Sequence, residues 1–165
     1  MSDETLQPEY RRFDGEAEFQ HAVDQLLAVP GRELRVFDPD LQGLRLNSPA
    51  RIEQLERFLQ ASRTRRLYIA LHDPGHLTRS CPRMMNLLAR YAHAIQIHRT
   101  HEEIRSIQDA FLVLDASHYV RRAVAEFFRG AIGVRDETEG LAMRSRFLEI
   151  WGSSYPAVSS TTVGL

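Results

Sequence analysis

Four short apolar runs in this chain end in side chains able to hold a ligand. Leu34 to Phe37 runs into Asp38 and Asp40, and Leu67 to Leu71 into His72, Asp73 and His76. Ile95 to Ile97 is followed by His98, Arg99 and Thr100, and Phe111 to Leu114 by Asp115. Carboxylates and imidazoles serve as proton carriers or metal ligands, and an arginine beside a hydroxyl can clamp an anion. In an open α/β sheet, ligands bind just beyond the carboxyl ends of the strands. If the four runs are neighbouring strands, Asp38, Asp40, His72, Asp73, His76, His98 and Arg99 form one candidate ligand-binding set.

Each of these has a competing structural reading. His72-Asp73-Pro74-Gly75-His76 could present two imidazoles and a carboxylate on one turn, a partial metal site that Asp38, Asp40 and His98 would complete if the strand ends meet. Alternatively Asp73 fixes a tight turn and both histidines face solvent, so no metal is assigned. Asp38-Pro39-Asp40 is similar in outline to the acidic motif of haloacid dehalogenase-like phosphotransferases. The Thr and Lys that those enzymes need are missing, and a strand-to-loop turn is the simpler account. His98 and Arg99 are adjacent on an expected strand and point to opposite faces, so they cannot both address one ligand without a bulge. Arg63, Arg65 and Arg66, and Arg121-Arg122, form small basic clusters with no interleaved aromatics to stack on bases. They are read as solvated charge.

Composition removes whole classes of activity. All 21 residues counted as Lys+Arg are arginine, which excludes a phosphate-loop lysine, a Schiff-base lysine and any catalytic lysine. A formal net charge of −1 provides no global field for nucleic acid or an anionic membrane. No apolar stretch approaches the length of a membrane span, and the acidic start Met1-Ser2-Asp3-Glu4 lacks the character of a signal peptide. The single cysteine, Cys81, cannot form an internal disulfide. A cytoplasmic protein without a cofactor is expected, and 165 residues fit one domain.

The elements that must position these groups follow from periodicity. Residues 1–14 are polar and are expected to be a loose arm, and residues 15–152 a single α/β domain. Phe19, Val23, Leu26 and Leu27 mark a helix over Glu16–Leu27, stopped by Pro30-Gly31. Ser48 and Pro49 start a second helix with Ile52, Leu55, Phe58 and Leu59 on its buried stripe. A third, beginning near Ser80 to Pro82, carries Met84, Met85, Leu87 and Leu88. Val120, Val124, Phe127 and Phe128 predict a fourth, and Leu141, Phe147, Leu148 and Trp151 a last one. Phe111 to Leu114 is continuous apolar, as a strand covered on both faces would be. Residues 153–165 are expected to be a tail or an edge strand.

The segment Gln108-Asp109-Ala110-Phe111-Leu112-Val113-Leu114-Asp115 carries a family resemblance. Phospholipase D-like proteins have His-x-Lys, four residues and then Asp at the start of a buried strand. This segment resembles that motif in length, apolar interior and closing Asp, with Gln108 in place of the histidine and Ala110 in place of the lysine. The order of strands and helices over roughly Glu16 to Trp151 also resembles one half of the phospholipase D fold. The implied fold is a central mixed β-sheet flanked by helices. A looser resemblance is to an uncharacterised bacterial domain sometimes attached to acetyltransferases of the GNAT type.

What this resemblance implies for function turns on the two departures. In active relatives the histidine attacks phosphorus and the lysine stabilises oxyanion charge. The amide of Gln108 is no comparable nucleophile, Ala110 has no charge, and Ala116-Ser117-His118-Tyr119 replaces the Gly-Ser and Asn elements that follow the motif. Asp115 remains, in a position to fix a turn through backbone amides. The expected protein is therefore a non-catalytic binding or regulatory domain. Because active relatives build one site from two halves, a homodimer is expected, with Gln108 and Ala110 near its axis. A partner protein such as an acetyltransferase is a further expectation. The rival is a metal- or histidine-dependent phosphate-ester hydrolase using His72, Asp73, His76 and His98.

Overall fold

Ala110–Leu114 is buried at every residue, as a central strand requires, and the computed structural model places it inside an eight-stranded sheet. The structure describes residues 7–160. In chain order the elements are β1 (Glu9–Asp14), α1 (Glu16–Ala28), β2 (Glu33–Phe37), α2 (Pro49–Gln60), β3 (Arg66–Leu71), α3 (Gly75–Ser80) and α4 (Pro82–Arg90). There follow β4 (Ile95–Thr100), β5 (Ala110–Leu114), β6 (His118–Arg122), β7 (Arg129–Val134), α5 (Glu137–Gly152) and β8 (Ser154–Val158). The sheet runs β1-β7-β6-β5-β2-β3-β4-β8. Only β2, β3 and β4 pair in parallel, so the sheet is mixed.

Side-chain alternation divides the strands between two cores. Leu34, Val36, Leu67, Ile69, Leu112 and Leu114 face α1 to α4, whose stripes include Phe19, Leu26, Leu55 and Met84. Phe37, Ala70, Phe111 and Val113 face α5, where Met143, Phe147 and Ile150 cover them. The helices start where the sequence supplies caps. Ser48 accepts from the Arg51 amide with Pro49 in the first turn of α2, and Asp136 accepts from the Glu139 amide at the start of α5.

Two expectations give way. The loose arm stops short of Asp14, because Glu9–Asp14 pairs antiparallel with β7 along its full length. Residues 1–6 of that arm lie outside the described residues. The helix expected through Val120, Val124, Phe127 and Phe128 is instead the end of β6 and the loop that leads into β7. Val120, Val124, Phe127 and Phe128 share a helical spacing by coincidence. Tyr119, Val120 and Arg122 are buried on the two faces of a strand, while Val124 and Phe127 are exposed in the loop. At the other edge, Ser154–Val158 of the C-terminal segment forms the edge strand β8, with Pro156 where its missing donor is tolerated, and residues 161–165 of that segment lie outside the described residues. No helix among the described residues is long and apolar enough to cross a membrane.

Candidate functional site

Parallel pairing of β2, β3 and β4 brings the ends of the first three apolar runs to one edge of the sheet. Because β5 runs antiparallel to β2, its beginning lies at that edge, with Phe37 opposite Phe111. The same edge takes the end of β6, where Arg122 lies opposite Ala110. Asp38, Asp40, His72 and Asp73 are thus gathered beside the motif positions Gln108 and Ala110, whereas Asp115 lies at the opposite edge. The Asp115 carboxylate accepts from the Arg32 and Glu33 amides at 2.9 and 3.0 Å, in a backbone with φ of 55°. Its observed contacts are those of a turn brace between β5 and β2.

At the shared edge the most buried polar contact is between Asp38 and Arg122, whose side chains are each 4% exposed. Arg122 Nη2 donates to Asp38 Oδ2 at 2.5 Å, and Nη1 donates to the Ala125 carbonyl at 2.6 Å. The guanidinium lies 4.5 Å from the centre of the Phe19 ring and 5.6 Å from that of Phe128. Asp38 Oδ1 accepts from the Asp40 and Leu41 amides at 3.1 and 2.8 Å, and Leu41 adopts a left-handed backbone with φ of 68°. Burial pushes the Asp38 carboxyl upward against the pull of Arg122 and the two amides, and lowers Arg122 against the pull of Asp38. Both directions reflect the cost of removing charge from water, which a buried ion pair recovers only through good geometry.

The cation beneath Ala110 is therefore already committed. Ala110 is 2% exposed and leaves no opening at the lysine position, while Gln108 is exposed and its carbonyl accepts from the Ala125 amide at 2.7 Å. Arg122 escaped the sequence reading because Arg121-Arg122 looked like one solvated cluster. Strand alternation separates the two, sending Arg122 inward and Arg121 to the other face. Asp109 was also overlooked. It is buried and receives Arg146 Nη2 at 2.7 Å, with Arg121 Nη2 at 3.6 Å.

The histidines do not converge. His72 is buried edge-on to Phe37, with Nδ1 2.6 Å from the Thr100 hydroxyl and Nε2 2.7 Å from the Ile107 carbonyl. A carbonyl only accepts, so Nε2 carries a proton and donates it to Ile107, while Nδ1 is engaged by the Thr100 hydroxyl. Neither ring nitrogen is left for a ligand, and the ring does not face solvent as the structural reading expected. Asp73 accepts from the Gly75 amide at 2.9 Å within its turn, and His76 is half-buried beyond it on α3. Asp40 is engaged locally by Gln42.

His98 points to the α5 face, stacked on Trp151 with ring centres 3.6 Å apart and Nδ1 2.9 Å from the Ser154 hydroxyl. Arg99 points the other way and donates from Nε to the His72 carbonyl at 2.8 Å. The pairing of β4 with β8 shifts register between Ile97 and His98, yet the two neighbours still diverge. Among the described residues no group of three or more His, Cys, Asp and Glu side chains is placed to hold a metal ion.

Burial lowers the imidazole of His98, and lowers that of His118 with Asp115 opposing and Arg135 adding to the effect. The unfolded chain takes up these protons at the ordinary value of about 6.5, before the folded chain does. Their contribution to stability is complete above that value and is lost as pH falls through it toward the lowered folded values.

The chain matches the family model described as a domain of unknown function, DUF7931, over residues 15–160, and it belongs to that family. No match is found among curated proteins. Among solved structures it resembles Nuc from Salmonella typhimurium, a phospholipase D family member. That likeness has 12% identity and a TM-score of 0.65, covering 93% of this chain and 100% of that one. NucT from Helicobacter pylori aligns at 11% identity and a TM-score of 0.63, covering 92% of this chain and 100% of that one. TrmBL2, an archaeal chromatin protein with a novel mode of DNA binding, aligns at 12% identity and a TM-score of 0.64. There 90% of this chain is covered but only 54% of the other, so the chain spans about half of that protein. The likeness establishes a phospholipase D-like fold.

Thermal unfolding should follow the two lowered imidazoles. The melting temperature is expected to fall between pH 7 and 5.5, and the fall should be visibly shallower in a His98→Gln, His118→Gln double variant. Superimposable profiles for the two proteins would contradict the assignment.

Proposed function

We propose that this member of the DUF7931 family is a non-catalytic binding or regulatory domain on a phospholipase D-like scaffold, working as a two-fold homodimer. The observation that carries the reading is the pairing of a packed Ala110 with the Asp38–Arg122 ion pair, next to a Gln108 that offers no nucleophile. Phosphoryl transfer through a covalent intermediate needs an activated nucleophile and a positive clamp that is free to meet the developing charge. Here the guanidinium across from Ala110, that of Arg122, is already paired with Asp38 and turned toward Phe19 and Phe128. The rival histidine-dependent hydrolase gains no support from His72, whose ring nitrogens are both engaged, or from His98, which lies against Trp151 on the other face.

The homodimer reading draws on the loop between β6 and β7. Val124 and Phe127 are 42% and 58% exposed, and this loop is bonded to Gln108 through the Ala125 amide. Exposed apolar side chains clustered at one edge suit a contact that a two-fold axis would double. Nuc and NucT, matched along their whole length, are also chains of a single such unit. A partner protein, such as an acetyltransferase of the GNAT type, is the ligand class that a regulatory role would call for. A cytoplasmic location accords with that role.

Two measurements test this reading. Purified chain incubated with bis(p-nitrophenyl) phosphate is expected to release no nitrophenolate above the buffer rate. Turnover that disappears in His72→Ala would instead support the histidine-dependent hydrolase. Sedimentation at micromolar concentration should give a dimer, and Phe127→Asp should shift it to monomer without lowering the melting temperature. A native chain that is monomeric throughout would remove the homodimer.

A further inference from the structure

Helix α5 covers β4, β2, β5 and part of β6 but leaves the β1–β7 side of its face open. An open cleft of about 710 Å³ lies there, within the range of small-ligand sites. Its floor is β7, where Ala131 and Gly133 on this face are unusually small, with Arg129 beyond them at the start of the strand. A side chain at Gly133 would run into the Tyr119 ring, with a Cβ only 2.4 Å from it, so glycine lets that ring lie across the sheet. The register then sets matching pairs on either side of the floor. Arg12 and Arg121 flank Ala131, and Tyr10 and Tyr119 flank Gly133. The outer strands of such a triplet are roughly 9–10 Å apart, close enough for two long guanidinium arms to meet over the floor.

The charges that remain uncommitted determine what fits. Arg12 makes no hydrogen bond or ion pair with any described residue. Arg121 Nη2 lies 3.6 Å from Asp109 Oδ2, a buried oxygen without a hydrogen bond among the described residues, while Arg146 holds Oδ1. Three acids line the same cleft. Asp14 is paired with Arg129 at 3.3 Å, and Glu18 accepts from the Asp14 amide at 3.2 Å. Glu139, on the α5 wall, has no hydrogen bond from a described residue to its carboxylate. Tyr10 is 61% exposed and offers an open ring face, while Tyr119 donates to Asp136 at 3.3 Å. Burial, aided by the Asp136 carboxylate, pushes the Tyr119 phenol up to about 12, so it adds no negative charge to the cleft.

We propose that this cleft binds a phosphomonoester joined to a planar ring. The phosphate would lie over Ala131 between Arg12 and Arg121, the ring against Tyr10, and a ring amine or sugar hydroxyl toward Glu139. A carboxylate presents only two oxygens in one plane. A phosphate has three terminal oxygens and can accept from two guanidiniums approaching from opposite sides. The cleft lies on the α5 face, away from Ala110, so the inference holds whether or not the motif edge is catalytic.

The test is calorimetric titration of the full chain with adenosine 5′-monophosphate, inorganic phosphate and adenosine at low ionic strength. The nucleotide is expected to bind one per chain and more tightly than either fragment, with inorganic phosphate displacing it. Arg12→Gln, whose guanidinium supports nothing in the fold, should weaken nucleotide binding at least tenfold with an unchanged melting temperature. Arg63→Gln, at the opposite end of the sheet, should not change it. No nucleotide binding at millimolar concentration, equal affinity in Arg12→Gln, or a nucleotide no tighter than inorganic phosphate would each overturn the proposal.

Discussion

A carboxylate and a guanidinium that together expose almost nothing to water must find partners for the polar atoms they carry, or the fold pays the full cost of desolvation. Asp38 and Arg122 meet this demand with each other, with the amides of Asp40 and Leu41, with the Ala125 carbonyl and with two aromatic faces. Each partner also fixes a piece of backbone. The Asp38 contacts hold the chain leaving β2 in a tight turn through the left-handed Leu41, and the Arg122 contact with Ala125 sets the course of the loop into β7. One pair thus ties together β2 and β6, which are separated in the sheet by β5, at the edge where an α/β protein would place a ligand.

That arrangement also explains how the sheet's two faces have diverged. On the side of α1 to α4 the strand ends are filled by Phe19, Phe128 and the ion pair. His72 lies buried at the same edge with both nitrogens occupied. On the side of α5, coverage stops before β7 and β1, and β7 carries residues too small to fill the gap. Charged groups with spare bonding capacity, Arg12 above all, are found on this open side. A scaffold whose motif edge is packed and whose other face retains an open, charged cleft accords with the proposed binding role.

Much of this was legible in the residues. The cap at Ser48-Pro49, the continuous apolar run at Phe111 to Leu114 and the alternation of strands with helices predict the α/β fold and its phospholipase D-like order, and both are found. The failures have physical causes. Val120, Val124, Phe127 and Phe128 satisfy a helical stripe by spacing alone, and only tertiary pairing with β5 makes the first of them a strand residue. Glu9–Asp14 has one buried side chain, Phe13, so an edge strand held by backbone bonds to β7 leaves almost no hydrophobic signature. Gathering Asp38, Asp40, His72 and Asp73 at one edge followed from strand ends, whereas their use in turns and packing depended on partners distant in sequence. Arg122 was hardest to see, because its partner Asp38 lies 84 residues away.

The account stands on Asp38 and Arg122 acting as one unit, and a double-mutant cycle measures that directly. Denaturant unfolding of Asp38→Asn, Arg122→Met and the combined variant gives their coupling. Each single change should cost about 3–5 kcal/mol by stranding a buried polar partner. The double variant should be little worse than the costlier single one, which corresponds to a coupling close to the smaller single loss, about 3 kcal/mol. Losses that simply add would contradict the account.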